Sequence, residues 1–196
     1  MRVFQLCAGA SAGGAEAAFV DFSLALAETG VEVVPICRPH PVLVKRLRDG
    51  GLDPVTLPFG GIFDFKTKAT IKKLIKEQQP QIVQSWMNRA AKFMPRSSDK
   101  LPPFSTVSRL GGYYKLKYYK GVDHFVTNTA DIKRYLVGEG VPEDKVTHIN
   151  NFADLGEQGP AIDRASVNDY WLAEPLANGG RRNLGAYGGT QEATQS

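Results

Sequence analysis

The stretch CAGASAGGAE, Cys7 to Glu16, decides the fold, because it stands between an apolar run and a run with helical periodicity. The preceding VFQL predicts a short buried strand, and the following AAFVDFSLALAE predicts a helix that ends at Gly30. Three glycines and several small residues at such a junction predict a tight turn that leads from a strand directly into a helix.

The same alternation of strand and helix continues along the chain. Further strands are predicted in VEVVPIC, LDPVTLPF, QIVQSW, FSTVSRL, HFVTNT and VTHINN, and further helices in VLVKRLRDGG, KTKATIKKLIKEQQP and IKRYLVGEG. This order predicts an α/β domain over residues 1–154, with a doubly wound, mostly parallel, Rossmann-like sheet and helices on both faces. Residues 155–196 are rich in Gly, Asn and Gln and predict an irregular or weakly helical C-terminal extension.

The glycine turn does not fit either of the common phosphate-binding patterns. A dinucleotide fingerprint ending at Gly14 needs glycine at position 11, which is Ser11, and the second strand ends without an acidic residue. A P-loop needs Lys and then Ser or Thr where the sequence has Ala15 and Glu16. Two interpretations stay open: a purely structural turn with a solvated Glu16, or a small concave site that holds neutral hydroxyl groups.

The charge of the chain is unevenly distributed. Residues 64–120 contain thirteen Lys and Arg against three acids, a balance of +10, whereas the whole chain carries +4 and the remainder is therefore −6. A cationic flank of this size attracts anionic partners, but it does not choose among lipid, glycan and nucleic acid. No recognition module for nucleic acid is present in the sequence, so no specific nucleic-acid partner is expected.

Four stretches in colinear order resemble the N-terminal, acceptor-side half of retaining GT-B glycosyltransferases of family four. They are MRVFQLCAGASAGGAE, QPQIVQSWMNRAAKF, STVSRLGGYYKLKYYKGVDHFVTNT and IKRYLVGEGVPEDKVTHINNFAD. The resemblance covers residues 1–154 and is strongest to members that build lipopolysaccharide or other surface glycans. It implies transfer of a hexose from a nucleotide sugar to a glycan or lipid-linked glycan, with no further cofactor and no metal.

The resemblance also implies roles for individual residues. Those that match the glycine loop near the donor phosphates are Gly13, Gly14 and Glu16. Arg109 stands where relatives often place a histidine near the transferred sugar, so a charge-based catalytic contact is expected instead. The residues expected to contact the acceptor are Trp86, Asn88, Arg89, Gly111 and Gly112.

One part of the family pattern does not appear in this sequence. Relatives bind the nucleotide sugar with a second domain that carries paired glutamates, and nothing after Asp154 resembles it. The expectation is therefore an acceptor-side half whose donor-binding domain is missing from a truncated or naturally half-length chain, with weak or no catalysis by itself. The competing hypothesis is a noncatalytic binding module for an anionic glycan or a membrane surface.

The segment GGYYKLKYYKG mixes aromatic and cationic side chains. Such a mixture suits the interface of an anionic membrane, where rings lie at head-group depth and ammonium groups meet phosphates. The residues predicted at such an interface are Tyr113, Tyr114, Lys115, Lys117, Tyr118, Tyr119 and Lys120. The chain is expected to be cytoplasmic, and this pattern predicts peripheral attachment to the inner face of the cytoplasmic membrane. The alternative, which is the more ordinary one, is that the tyrosines pack under the sheet while the lysines are solvated.

Other chemistries find little support in the sequence. The three histidines are widely separated without metal-ligand spacing, and there is no nucleophile elbow of the form G-x-S-x-G. The two cysteines, Cys7 and Cys37, each end a predicted strand, where a small buried thiol is the common case.

Overall fold

A computed structural model describes residues 1–9, 13–61, 64–96 and 100–151 of the chain. The strands are β1 Arg2–Cys7, β2 Glu32–Cys37, β3 Val55–Thr56, β4 Ile82–Trp86, β5 Ser105–Leu110, β6 His124–Thr127 and β7 Val146–His148. The helices are α1 Gly14–Glu28, α2 Pro41–Asp49, α3 Phe65–Gln78, α4 Met87–Ala91 and α5 Ala130–Gly138. The predicted extension over residues 155–196 lies outside the described residues.

The described strands form one sheet of seven in the order β3-β2-β1-β4-β5-β6-β7, and every neighbouring pair is parallel. The predicted doubly wound, Rossmann-like architecture is therefore confirmed. The chain runs outward from β1 to β3 and then returns to place β4 on the other side of β1. This reversal is the topological switch point at which open α/β sheets bind ligands, beyond the carboxyl ends of the strands.

Apolar clusters cover both faces of the sheet. On one face, Phe4 and Leu6 of β1 pack with Ile71 and Ile75, which form the inner stripe of α3 as its periodicity predicts. On the other face, Cys7 at the end of the same strand packs with Phe19 of α1. Successive residues of a strand point to opposite faces, so one strand supplies both clusters.

A third apolar cluster packs α5 against strands β5, β6 and β7, at one end of the strand order. It joins Leu110 at the end of β5 and Phe125 of β6 to Leu136 of α5, all of them buried. The helix begins where the Thr129 hydroxyl accepts a hydrogen bond from the Ile132 amide. This cluster fixes the strands whose ends form one wall of the site described below.

Two elements differ from the sequence prediction. The extended segment LDPVTLPF yields only the two-residue strand β3, because Pro54 and Pro58 flank it and lack the N–H groups that a longer ladder needs. Helix α4 was not predicted: it follows Trp86 directly, begins at Met87 with a φ of 60°, and has no side-chain cap. A five-residue helix of this kind carries none of the usual start signals.

The two cysteines confirm the expectation of buried thiols. Cys7 and Cys37 are in register on neighbouring strands, and both are buried and unpaired. Burial raises the pKa of Cys7 to about 12 and the pKa of Cys37 to about 11. Both thiols are therefore protonated at neutral pH and are poor nucleophiles.

Candidate functional site

The carboxyl ends of the three central strands lie level with one another. Cys7 of β1 is the register partner of Trp86 of β4, which in turn is the partner of Arg109 of β5. The glycine turn leaves β1 at this level and enters α1 at Gly14. Parallel pairing thus brings the predicted glycine loop, Trp86 and Arg109 to one edge of the sheet, although Gly14 and Arg109 are 95 positions apart in the sequence.

Backbone groups at the start of α1 face this edge. Gly13 is the residue that caps the helix, and it has no side chain to accept from the first helical N–H groups. Gly14 is exposed, and a Cβ added to it would have no atom within 4 Å. Packing therefore does not require a glycine at position 14, and its missing side chain keeps the space in front of the helix open.

Glu16 is buried rather than solvated. Its side chain, in a residue only 7% exposed, folds over the backbone of Gly9, where an added Cβ would lie 1.8 Å from Oε1. Besides burial, the nearby carboxylate contributes to the raised pKa values of Cys7 and Tyr114. Gly9 is thus a glycine because Glu16 occupies the space beside it, and Glu16 belongs to the inner wall of the turn.

A cavity of about 250 Å³ opens between the start of α1 and the ends of β4, β5 and β6. It is lined by Gly14, Ala15, Trp86, Met87, Arg109, Leu110, Gly111, Asn128 and Asn151. Four residues predicted for three separate roles, namely Gly14, Trp86, Arg109 and Gly111, therefore share one wall. Met87 lies here in the left-handed region at φ 60°, a strained conformation for a residue with a side chain.

Arg109 is a buried cation that holds the end of the described chain. Its Nη2 donates to the carbonyls of Ile149 at 3.0 Å and Asn150 at 3.2 Å, and to Oδ1 of Asn151 at 2.9 Å. The guanidinium also lies 5.2 Å from the ring centre of Trp86. Burial lowers its pKa, but an arginine remains protonated at neutral pH.

Two polar atoms in the cavity wall have no hydrogen-bond partner among the described residues. They are Nε of Arg109, a donor, and Oδ1 of Asn128, an acceptor, and both are buried. Buried polar groups are nearly always paired, so these two orphan atoms, both in residues that line one cavity, point to a missing hydrogen-bonding partner there. A ligand with hydroxyl groups, each both donor and acceptor, matches this pair.

Asn128 was not among the residues predicted for the site. Asn128 follows β6 directly, and its backbone N–H donates to the carbonyl of Leu110 at the end of β5. The only signal in the sequence was an asparagine after a predicted strand, in HFVTNT. Asn151, which lies just after β7 and lines the same cavity, was missed for the same reason.

The predicted acceptor residues Trp86, Asn88 and Arg89 differ in burial and in the cavity that they line. Trp86 is 3% exposed, and its Nε1 donates to Oε1 of Gln5 at 2.7 Å, so only part of its ring reaches the cavity. Asn88 and Arg89 lie in α4, where Asn88 is half-buried and Arg89 is exposed. Arg89 lines a second, larger cavity, whereas Asn88 lines neither. Their contact with an acceptor stays a prediction.

Gly111 and Gly112 continue from β5 into the segment with the tyrosines and lysines. An added Cβ at Gly111 would lie 3.5 Å from Nδ2 of Asn128, and one at Gly112 would lie 3.4 Å from the ring of Tyr114. Both are ordinary or only slightly tight contacts. Gly111 therefore widens the cavity, while Gly112 accommodates Tyr114 and does not line it.

The predicted membrane-interface segment divides into exposed and buried residues. Tyr119 is 3% exposed and packs edge-on against Phe125, 6.0 Å between ring centres, so its ring is not available to a membrane in this fold. Tyr118 lies between Lys92 and Lys117, whose ammonium groups are 4.2 and 5.1 Å from its ring centre. Tyr114 is half-buried. The exposed members, for which membrane contact stays a prediction, are Tyr113, Lys115, Lys117 and Lys120.

The described part of the chain contains neither a candidate metal cluster nor a helix that could span a membrane. No group of three or more His, Cys, Asp or Glu side chains in residues 1–9, 13–61, 64–96 and 100–151 is arranged to hold a metal ion. Within the same ranges no helix has the length and hydropathy needed to span a bilayer.

Comparison with known protein families gives one match that covers most of the chain. The model of the family described as Glycosyltransferase Family 4 matches residues 12–157. Among individual relatives, the lipopolysaccharide core biosynthesis glycosyltransferase LpsD of Rhizobium meliloti (strain 1021) is 32% identical over 174 residues, which is 85% of this chain and 47% of LpsD. LpsE of the same organism, with the same description, is 29% identical over 168 residues, which is 80% of this chain and 45% of LpsE.

Solved structures show the same fold at lower sequence identity. HepE of Anabaena in complex with UDP superposes with a TM-score of 0.64 at 11% identity, over 79% of this chain and 45% of HepE. The lipopolysaccharide outer core galactosyltransferase WaaB, in its apo form, gives 0.59 at 16% identity, over 85% of this chain and 50% of WaaB. The chain thus spans about half the length of each of these proteins.

Proposed function

Because the chain belongs to Glycosyltransferase Family 4, we propose that its described domain is the acceptor side of a GT-B enzyme that transfers a hexose from a nucleotide sugar to a glycan of the lipopolysaccharide core. The two relatives described as lipopolysaccharide core glycosyltransferases support the class of acceptor. The structure of HepE in complex with UDP supports a uridine nucleotide as the donor.

The observation that carries the proposal is the cavity at the switch point of the sheet. It brings together the start of α1, where no side chain caps the helix, and two lining residues, Arg109 and Asn128, whose Nε and Oδ1 have no hydrogen-bond partner among the described residues. An orphan donor and an orphan acceptor in two residues that line one small space match the hydroxyl groups of a sugar ring, each of which both donates and accepts. A noncatalytic binding module has no support of its own, since both relatives named above are described as glycosyltransferases.

The same groups suit transfer chemistry. When a nucleotide sugar reacts, negative charge develops on the leaving diphosphate, and nearby cations and backbone donors stabilise it in the transition state. Arg109 and the positive end of the α1 dipole are the described groups that supply such charge at this cavity. In this proposal they lie between the acceptor and the donor, and the glycine turn holds the reacting hydroxyl.

Gly14→Leu tests the proposal. Gly14 lines the cavity, and a Cβ added at this position would have no atom within 4 Å, so the new side chain takes up cavity space without a clash at its base. We expect the wild-type chain to bind a lipopolysaccharide core oligosaccharide in isothermal titration calorimetry. The variant should bind at least about 10-fold more weakly, while its thermal midpoint stays the same. A matched control is Gly138→Leu in α5, where an added Cβ also meets nothing and which lies away from the cavity.

Two outcomes would contradict the proposal. One is the absence of any oligosaccharide binding by a chain whose circular dichroism shows it to be folded. The other is equal binding by the wild type and Gly14→Leu, since the cavity would then not be where the glycan lies.

A further inference from the structure

A second cavity, of about 500 Å³, opens at the carboxyl edge of the sheet on the side of α3 and α4. Its lining comes from the residue after β2, the loop after β3, the first turn of α3 and the α4 region, and it shares no residue with the cavity at Arg109. Its volume lies within the range of about 300–1,000 Å³ that is usual for small-molecule sites. Of its lining residues, Arg89 is one of the predicted acceptor contacts, and Lys68 and Lys92 belong to the cationic flank of residues 64–120.

Among the described residues, four cations and no carboxylate line this cavity. They are Arg38, Lys68, Arg89 and Lys92. None of the four forms an ion pair with a described residue; Lys68 lies 5.9 Å from the ring centre of Phe93. Four like charges around one space repel one another, and a bound anion relieves this repulsion.

Asp64, whose side chain contacts the cavity-lining Gly60, is already engaged in hydrogen bonds. Asp64 caps α3: its Oδ1 accepts from the Thr67 amide at 2.9 Å, and its Oδ2 accepts from the Gly60 amide at 2.7 Å and the Thr67 hydroxyl at 2.6 Å. These hydrogen bonds, first of all those with Thr67, hold the pKa of Asp64 below its usual value. The carboxylate thus shapes the loop after β3 and does not line the cavity.

One wall of the cavity is aromatic. Phe59 and Phe93 are 1% and 5% exposed and pack edge-on, with 5.3 Å between ring centres. Phe59 has a φ of 42°, a strained value that is held in place by a hydrogen bond from its amide to the Thr67 hydroxyl. Because so little of either ring is exposed, the pair forms a rigid apolar base for the cavity, and the four cations form its rim.

We propose that this cavity binds a phosphate or carboxylate group carried by the acceptor glycan, so that the acceptor is an anionic saccharide. The inference rests on the proposed function and deepens it by adding a second contact and a substrate class. Arginine and lysine side chains bind phosphate and carboxylate oxygens through charge-assisted hydrogen bonds. The anionic group lies among the four cations while the reacting hydroxyl lies at the cavity beside Arg109.

Calorimetry with chemically matched ligands tests the inference. The ligands are a phosphorylated core oligosaccharide, the same oligosaccharide after phosphatase treatment, and the same oligosaccharide after reduction of its carboxyl groups. We expect removal of the relevant anion to weaken binding by the wild type at least about 10-fold, and the preference for the anionic ligand to fall as salt rises. Whichever treatment weakens binding identifies phosphate or carboxylate as the group that is recognised.

Charge reversal locates the recognition. In Lys68→Glu and Arg89→Glu the preference for the anionic ligand should disappear, because a carboxylate then faces the anion across the cavity. Lys76→Glu is the matched control: it makes the same change of charge on an exposed lysine of α3 outside the cavity, and it should keep the preference. All three positions are exposed, so the thermal midpoints should stay close to that of the wild type.

The outcomes separate the inference from the proposed function. If no oligosaccharide binds, with or without its anionic groups, the proposed function itself fails. If the treated and untreated oligosaccharides bind equally well, the acceptor-side role stands and the anionic site is refuted. The inference would also be overturned if Lys76→Glu lost the preference for the anionic oligosaccharide. The same holds if UDP alone competed with the oligosaccharide for the cavity lined by Lys68 and Arg89.

Discussion

Replacing Trp86 by alanine is expected to lower the free energy of unfolding by about 3–5 kcal/mol, the usual cost of removing a buried aromatic side chain. Trp86 is packed edge-on against Phe19 and Phe22, with ring centres 5.9 and 5.7 Å away. Its removal leaves a void under α1 and deprives Oε1 of Gln5 of its donor. Urea denaturation followed by circular dichroism measures the loss.

Trp86→Phe separates the two causes. Phenylalanine keeps most of the ring packing but cannot donate to Gln5, so this variant should lose only about 1–3 kcal/mol, the cost of an unsatisfied buried polar group. A loss below about 1 kcal/mol in Trp86→Ala would show that the ring does not hold α1 on the sheet, contrary to the packing described above.

Replacing Arg109 by methionine is expected to detach residues 149–151, which follow β7, from the end of β5. It should also weaken oligosaccharide binding at least about 10-fold. Three hydrogen bonds from its guanidinium to residues 149–151 are lost, each from a charged donor and so worth about 1.5–3 kcal/mol. Removing a buried cation also removes its desolvation cost, so the net loss of stability should be smaller, about 1–3 kcal/mol. Hydrogen exchange at the Ile149 amide, which donates to the Thr127 carbonyl, reports the release.

Arg109→Lys is the informative control. It keeps the charge in the cavity but lacks the planar fork that reaches several acceptors at once. If charge alone matters for the ligand, the lysine variant should bind oligosaccharide better than Arg109→Met while the end of β7 exchanges equally fast in both. Unchanged exchange at Ile149 in Arg109→Met would contradict the role assigned to the hydrogen bonds.

The order of strands and helices was predictable from the sequence because their hydrophobic patterns change period at each turn. The regular alternation of strand and helix signals, which starts at the junction of Gly13 and Gly14, indicated the doubly wound class. Helix α4 could not be predicted, because it starts at a residue with positive φ and this backbone geometry leaves no local signal. The short β3 does have a local signal in Pro54 and Pro58, but the extended pattern of LDPVTLPF favoured a longer strand.

Residues of the candidate site could be predicted from the sequence only where they lie directly at the end of a clearly predicted strand. Gly14 and Arg109 each follow or end a strong strand, and parallel pairing then brings them to the same edge. Asn128 and the cationic cavity depend on tertiary contacts between distant segments: Arg38 and Lys92, for example, are brought to one space only by the crossover from β2 to α4. The charge count of residues 64–120 indicated an anionic partner, but it could not show that four of the cations surround a single cavity.

The central claim is that a glycan binds at the carboxyl edge of the sheet, between the start of α1 and the end of β5. The most direct measurement is a titration of the ¹⁵N-labelled chain with a lipopolysaccharide core oligosaccharide, followed by amide chemical shifts. We predict that the largest changes fall at Gly14, Leu110, Gly111 and Asn128, with unchanged amides at the opposite edge around Glu32 and Ser105. Changes confined to that opposite edge, or no changes at saturating oligosaccharide, would contradict the account.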